Sequence, residues 1–182
     1  MKIVRIVEKS VPFGSNIANA YINFSAMTGS AVAIETDVIR DGKPVVGYGF
    51  NSIGRYACSS ILRERMIPKI MNAKPEDILT DDGTNLDPFK INRILKSNEK
   101  PGGHGDRAHA IGALDMAVWD TVAKIEGKPL YVLLGERYNG GKYDKKIYTY
   151  GAGGYYYAED GDNRLHDELQ SYIDMGFRDV KM

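Results

Sequence analysis

Hydrophobic and polar positions divide this chain into a strand-rich start, a helical middle and an ending of mixed character. Ile3, Val4, Ile6 and Val7 begin a first strand, Ala31–Ile39 gives a second and Val45–Phe50 a third. The second and third are joined by Arg40-Asp41-Gly42-Lys43-Pro44, whose Asp-Gly pair predicts a tight hairpin. The first two are separated by Gly14–Ser30, a polar connection too long for a turn and of the length that functional loops have. From Tyr56 the period becomes helical: Ile61, Leu62, Arg65, Met66, Lys69 and Ile70 suit one helix, which Pro68 is expected to kink or end. Asp87-Pro88 opens another, with a cap residue followed by proline at the first helical position, continuing through Ile91, Ile94 and Leu95.

A glycine-rich break follows, Glu99-Lys100-Pro101-Gly102-Gly103-His104-Gly105. The clearest helix comes next, with Asp106 as its expected N-cap and Ile111, Leu114, Val118, Val122 and Ile125 on one face. Gly127 and Pro129 supply its stop, and Leu130, Val132, Leu133 and Leu134 make a short apolar segment ending at Gly135. The last forty residues read as a strand at Ile147–Tyr150, an amphipathic helix over Asn163–Met175 capped by Gly176, and a second strand beginning at Phe177–Met182. Strand, helix, strand with about a dozen helical residues between predicts a crossover joining parallel strands. Such a pair cannot cover its own faces. The expected architecture is therefore an α+β domain, an antiparallel three-stranded sheet plus helices over residues 1–140, followed over 141–182 by the opening of an α/β domain.

Composition narrows the function classes without choosing one. The 182 residues carry 24 Lys plus Arg against 24 Asp plus Glu, which argues against a basic nucleic-acid binder. No apolar run reaches the roughly 18 residues of a membrane helix, and the start has no signal-peptide core. The single Cys58 excludes an internal disulfide and fits a reducing, cytoplasmic setting. Glycines cluster at 102–105, 140–141 and 151–154, and five tyrosines lie between Tyr148 and Tyr157. Clustered glycine beside aromatics suggests shaped loops around a site. Gly102-Gly103-His104-Gly105 before a helix lacks the Gly-Lys-Ser/Thr ending of a phosphate loop. His104, Asp106 and His109 lack the spacing of a metal centre.

The run from Ile111 to Leu130, IGALDMAVWDTVAKIEGKPL, closing at Leu133-Leu134-Gly135, resembles the end of the capping domain in the mandelate racemase-like group of the enolase superfamily. Asn19-Ala20-Tyr21-Ile22, Val45–Ser52, Asn98–Gly105, Ala152–Tyr157 and Val180-Lys181-Met182 are similar to the branch of that group that dehydrates D-tartrate. The resemblance covers essentially the whole chain. It implies a capping domain followed by a (β/α) barrel that this sequence leaves within its second strand, in an enzyme about twice this length. Active sites in such barrels lie at the C-terminal ends of the strands.

The resemblance also implies a chemistry: abstraction of the proton next to a carboxylate, a bound Mg2+ ion stabilising the enediolate, and loss of the neighbouring hydroxyl. Lys181 matches the first of a lysine pair at the end of the second barrel strand, where one ammonium lowers the pKa of the other; the base itself would fall at position 183. Lys100 could present its ammonium to a substrate carboxylate, with His104 shaping that loop. Asn19 and Tyr21 fall where the family places a specificity loop. Asn51, Ile53 and Arg55 form a second such stretch, in which an arginine could bind a dicarboxylate and an isoleucine could not. Tyr155 is a candidate hydrogen-bond partner of the substrate. Asp115, Trp119 and Asp120 read as structural residues bridging the capping domain and the barrel. No magnesium ligand is expected within the chain, which alone is expected to be inactive. The expected partner is a small carboxylate or acid sugar, with neither nucleic acid nor membrane, and homo-oligomers are common in the family. The competing readings are another dehydratase or a racemase of the same group, and a non-catalytic binding module.

Overall fold

The computed structural model describes residues 1–51, 56–101 and 105–182. They form two compact units, residues 1–12 with 28–143, and residues 13–27 with 144–182.

The first unit is built on a three-stranded antiparallel sheet in the order β1 (Ile3–Pro12), β2 (Thr28–Arg40), β3 (Lys43–Phe50). β1 runs further than its apolar start suggests, because Glu8, Lys9 and Ser10 pair with Val32, Ala31 and Ser30 across the ladder. At the hairpin, Asp41 and Gly42 both take positive φ, 49° and 73°, as a two-residue turn of this hand requires. Alternation sends Val32 and Ile34 to the inner face, where both are buried, and leaves Tyr48 and Phe50 exposed outside.

Helices cover the inner face. Residues Ile61–Met66 wind as a π-helix and α1 (Ile67–Met71) continues directly from them. Pro68 therefore does not end the helix; it falls where the π-helical stretch passes into α1. The wider turn just before it leaves room for the ring, and the missing N–H falls in the first turn of α1, where none is needed. A short α2 (Pro75–Ile78) precedes α3 (Pro88–Lys96), whose cap is as predicted: the Asp87 carboxylate accepts from the N–H groups of Phe89 and Lys90 at 2.9 and 3.0 Å.

The long α4 (Asp106–Glu126) starts one residue earlier than predicted, with Gly105 at the cap and Asp106 as its first helical residue. It ends at Gly127 in the left-handed conformation, φ 67°, with the Lys128 N–H returning to the carbonyl of Ala123 at 3.0 Å. The apolar segment after it is a helix, α5 (Leu130–Tyr138), which passes through Gly135 instead of stopping there. Gly135 is buried with no room for a side chain, so its role is close packing against Lys142 and Tyr143.

The core joins Val32 and Ile34 of the sheet to Leu62, Met66, Ile70, Ile91, Leu95, Leu114, Val118 and Val122. α4 lies closest to β3 because Gly47 and Gly49 have no side chains. A Cβ on Gly49 would stand 2.1 Å from the Ala113 carbonyl oxygen, and one on Gly47 would stand 2.4 Å from that of Ala117. Ala113, Ala117 and Thr121 form the matching small-residue stripe, all fully buried. Among the described residues, no buried side-chain nitrogen or oxygen lacks a hydrogen-bond partner.

The second unit contains β4 (Gly151–Ala152), α6 (Gly161–Asp174) and β5 (Val180–Lys181), with the two strands parallel as predicted. β4 lies beyond the predicted Ile147–Tyr150, whose residues are unpaired. Ile147, Tyr148 and Tyr150 are 77%, 70% and 53% exposed, so their apolar character builds no core here. Gly176 takes φ 92° just past the end of α6. No helix among the described residues is long and apolar enough to cross a membrane.

Candidate functional site

The segment 13–27 leaves the sheet and packs within the second unit. Its own backbone folds into a narrow bridge between Ala18 and Asn23, and Ala18 also pairs with Tyr156, whose N–H donates to the Ala18 carbonyl at 2.8 Å. Phe24, 6% exposed, meets the edge of Tyr155 with ring centroids 6.0 Å apart. The structure thus brings together the stretch carrying Asn19 and Tyr21 and the loop carrying Tyr155. The Asn19 side chain is already engaged: Oδ1 accepts from the N–H groups of Tyr21 and Ile22 at 2.9 and 2.8 Å, shaping a turn that holds Tyr21 almost wholly in solvent. Tyr155 is half-buried.

The glycines at 153–154 let this loop pass close to α6. A Cβ on Gly153 would lie 2.3 Å from Glu168 Oε1, and one on Gly154, where φ is +78°, would lie 2.8 Å from Met182. Glu168 fastens the loop, accepting from the Gly154 N–H at 3.3 Å, the Tyr157 hydroxyl at 3.4 Å and the Tyr172 hydroxyl at 2.8 Å. That last bond, made to a carboxylate, raises the Tyr172 pKa above its ordinary value. Glu168 is not among the residues that the sequence analysis singled out. Its spacing from Tyr172, one helical turn, was the available signal. An open cavity of about 620 Å³ in this unit is lined by Asn16, Asn23, Ser25, Tyr156, Glu159 and Arg164 among others, within the size range of small-molecule sites. Lys181 sits in β5 opposite Ala152, exposed, with its carbonyl accepting from Gly153 N–H at 3.0 Å.

Lys100 belongs to the first unit. Its side chain is exposed beside an open cavity of about 480 Å³, lined also by Asn92, Lys96, Glu99, Arg107 and Asp115. Ile53, Arg55 and His104 lie outside the described residues. The backbone that flanks them is firmly braced. Asn51, 2% exposed, accepts from the Ser30 N–H and donates to the Tyr56 carbonyl at 2.9 Å, so one amide side chain spans the stem of the 52–55 segment. Cys58 continues the brace, its N–H donating to Ser30 Oγ at 2.9 Å and its thiol to the Asp106 carbonyl at 3.4 Å. Burial pushes the Cys58 thiol pKa up, with the negative charges of Asp106 and Glu8 adding to it.

Among the described residues, Asp115, Trp119 and Asp120 bridge elements inside the first unit. Asp120 accepts from the Tyr48 N–H at 2.7 Å and from Lys124 at 2.6 Å, covering the exposed edge of β3. Asp115 accepts from Asn92 at 3.2 Å, and Trp119 meets Phe89 and Tyr138 edge to face. Among the described residues, no three His, Cys, Asp or Glu side chains are grouped to hold a metal ion.

An antiparallel three-stranded sheet covered by helices, followed by a parallel βαβ unit, is the arrangement of an enolase-type capping domain entering its barrel. Residues 25–135 match the family described as Mandelate racemase / muconate lactonizing enzyme, N-terminal domain, and the chain belongs to that family, within the enolase superfamily. The arabinonate dehydratase of Saccharolobus solfataricus is 34% identical over 152 residues, which are 84% of this chain and 36% of that protein. A D-mannonate dehydratase of Novosphingobium aromaticivorans is 44% identical over 73 residues, 40% of this chain and 16% of the relative. The chain therefore spans about a third of the length of the first of these. A mandelate racemase/muconate lactonizing enzyme-like protein from Rubrobacter xylanophilus shares the fold, with a TM-score of 0.67 at 18% identity over all of this chain and 45% of that one.

Proposed function

We propose that this chain is the N-terminal portion of a magnesium-dependent acid-sugar dehydratase that acts as D-tartrate dehydratases do. The observation that carries the reading is kinship: the relatives matched across the capping domain are dehydratases of arabinonate and mannonate. In this reading the substrate loses the proton next to its carboxylate and then the β-hydroxyl as water, leaving an enol that becomes a keto acid. The packing of segment 13–27 with the Tyr155 loop supports a substrate bounded by Asn19, Tyr21 and Tyr155, with the Tyr155 hydroxyl as a hydrogen-bond partner. In the first unit, the exposed Lys100 offers a point charge for a carboxylate, and the sequence resemblance alone proposes Ile53, Arg55 and His104 as further substrate-binding residues. Lys181 on β5 would hold down, by like-charge repulsion, the pKa of a base two residues further along the same strand face.

Magnesium would polarise the carboxylate as a Lewis acid. The described residues do not fit it, since no three potential ligands are grouped among them. In this reading the ligands come from later barrel strands, and the whole enzyme is cytoplasmic and oligomeric.

The identities of the relatives favour one second reading, an aldonate in place of a dicarboxylate as substrate. The chain joined to a complete family barrel, assayed against a panel of aldarates and aldonates, separates them. Turnover of D-tartrate supports the narrow reading, turnover only of five- or six-carbon aldonates replaces it with the second, and α-epimerisation without water loss makes the protein a racemase. No turnover of any acid sugar would favour a binding module.

A further inference from the structure

The root of the Lys100 loop is held by an ionic cluster that no solvated surface loop needs. Glu99 has a side chain only 5% exposed, yet it neighbours exposed residues on both sides. Its carboxylate receives the Arg65 guanidinium as a two-pronged fork, the Lys69 ammonium at 2.6 Å and Arg107 Nη1 at 3.3 Å. The same Arg107 Nη1 donates to the Lys100 carbonyl at 2.9 Å. Lys69 extends the cluster to the end of α3, donating to the carbonyls of Leu95 and Ser97 at 3.2 and 2.7 Å. Asn98, between them, is held at φ 53°, a conformation that a non-glycine residue adopts at a cost. Four elements, the π-helical stretch, α1, α3 and α4, are thus tied to Ser97, Glu99 and Lys100. The hydrogen bond from Lys69 and the charges around it hold the Glu99 carboxyl below its ordinary pKa, so it stays ionised and the cluster intact at neutral pH.

We propose that Glu99 is a positioning residue: acting through Arg107, it fixes the peptide of Lys100 so that the ammonium is aimed at the substrate carboxylate. This rests on the reading of Lys100 given above. The Arg107 bridge from the Glu99 carboxylate to the Lys100 carbonyl fixes the peptide from which the Lys100 ammonium extends.

Two measurements test it. In the 182-residue chain, amide hydrogen exchange at Asn98, Glu99 and Lys100 should quicken at least tenfold in Glu99→Gln, because the amide cannot pair with three cations. Unchanged exchange would show that the cluster does not hold the loop and would overturn the proposal whatever Lys100 does. In the chain joined to a complete barrel, Lys100→Met should raise KM tenfold or more, Glu99→Gln several-fold, and the double variant no further than Lys100→Met alone. Effects that multiply would mean Glu99 acts independently of Lys100 and would overturn the positioning role while leaving the carboxylate reading intact. A Lys100→Met variant with wild-type KM would instead sink the carboxylate reading, and the positioning role with it. If Glu99→Gln does not fold, Arg107→Met carries the same two tests, since it removes the donor shared by the Glu99 carboxylate and the Lys100 carbonyl.

Discussion

Replacing Gly49 by alanine adds one methyl group and should cost the first unit about 3 kcal/mol. The added Cβ would lie 2.1 Å from the Ala113 carbonyl oxygen and 2.8 Å from the Ala117 nitrogen, all backbone atoms of α4 with no rotamer to turn away. Relief requires the helix to retreat by about 1 Å, since non-bonded carbon needs roughly 3.5 Å. That retreat loosens Leu114 and Val118 against Val32 and Ile34, each almost wholly buried, and overpacking of this kind costs about 1–3 kcal/mol, sometimes more. We place it at the upper end because the obstruction is backbone. At roughly 2–4 °C per kcal/mol for a chain of this size, Tm should fall by about 6–12 °C. Gly112→Ala makes the same chemical change on α4 itself, where nothing stands within 4 Å of the new Cβ. Its expected effect has the opposite sign, a gain of about 1 kcal/mol from helix propensity. Trp119, the single tryptophan, sits on α4 and reports its unfolding by fluorescence. If Gly49→Ala melts within about 2 °C of wild type, the close approach of α4 to β3 is not what holds this unit together.

The remaining expectations concern chemistry. Lys100→Met in the chain joined to a complete barrel should reduce kcat/KM by about tenfold or more, since hydrogen bonds to charged groups are worth about 1.5–3 kcal/mol, with Tm unchanged because the side chain is exposed; wild-type kinetics would make it an ordinary surface residue. Asp82, hydrogen-bonded by the Thr80 hydroxyl and by Thr84, titrates at about 2 instead of its ordinary 3.8. Its contribution is therefore complete above about pH 4 and lost as pH falls through 2, so Asp82→Asn should show a shallower loss of Tm between pH 4 and pH 2, and parallel curves would refute this. Cys58, buried and with its pKa raised, should resist iodoacetamide at pH 7.5 until the chain unfolds; rapid labelling of the native protein would contradict its place in the brace. Calorimetric titration of the 182-residue chain with Mg2+ should show no stoichiometric binding, because no three ligands are grouped among the described residues; a saturable site near one per chain would overturn that.

What was legible in the sequence was whatever rests on local chemistry. The Asp41-Gly42 hairpin, the Asp87 cap and the Gly127 stop need only the residues themselves, and each forms as predicted. The elements that depend on distant partners were misread. β4 forms at Gly151–Ala152 because that is where Val180 and Lys181 offer a backbone to pair with, whereas the apolar Ile147–Tyr150 has none. The helix past Pro68 depends on a π-turn that no periodicity announces. In α4 the large residues were legible, whereas Ala113, Ala117 and Thr121 drew no reading, because a small-residue stripe gains meaning only opposite Gly47 and Gly49. The candidate site was legible only through family resemblance: Asn19, Tyr21, Lys100 and Tyr155 have no local pattern that marks them. What the structure adds to the first unit is the buried side chains of Asn51 and Glu99, whose neighbours in space are far apart in the chain.

Those buried residues connect the stability of the first unit to the site proposed on it. The seat of α4 on β3 places Asp106, whose carbonyl takes the Cys58 thiol, and Arg107, which holds both Glu99 and the Lys100 carbonyl. Cys58 in turn shares Ser30 with Asn51, the residue that closes the stem of the 52–55 segment. Both loop roots of this unit therefore hang from the first turn of one helix, and that helix is placed by two glycines. A substitution such as Gly49→Ala, about two helical turns from Arg107, should disturb both roots before it unfolds anything, because a helix that retreats as a rigid body carries its first turn with it. The glycines of β3 thus set the geometry of both loop roots, although neither of them is part of either.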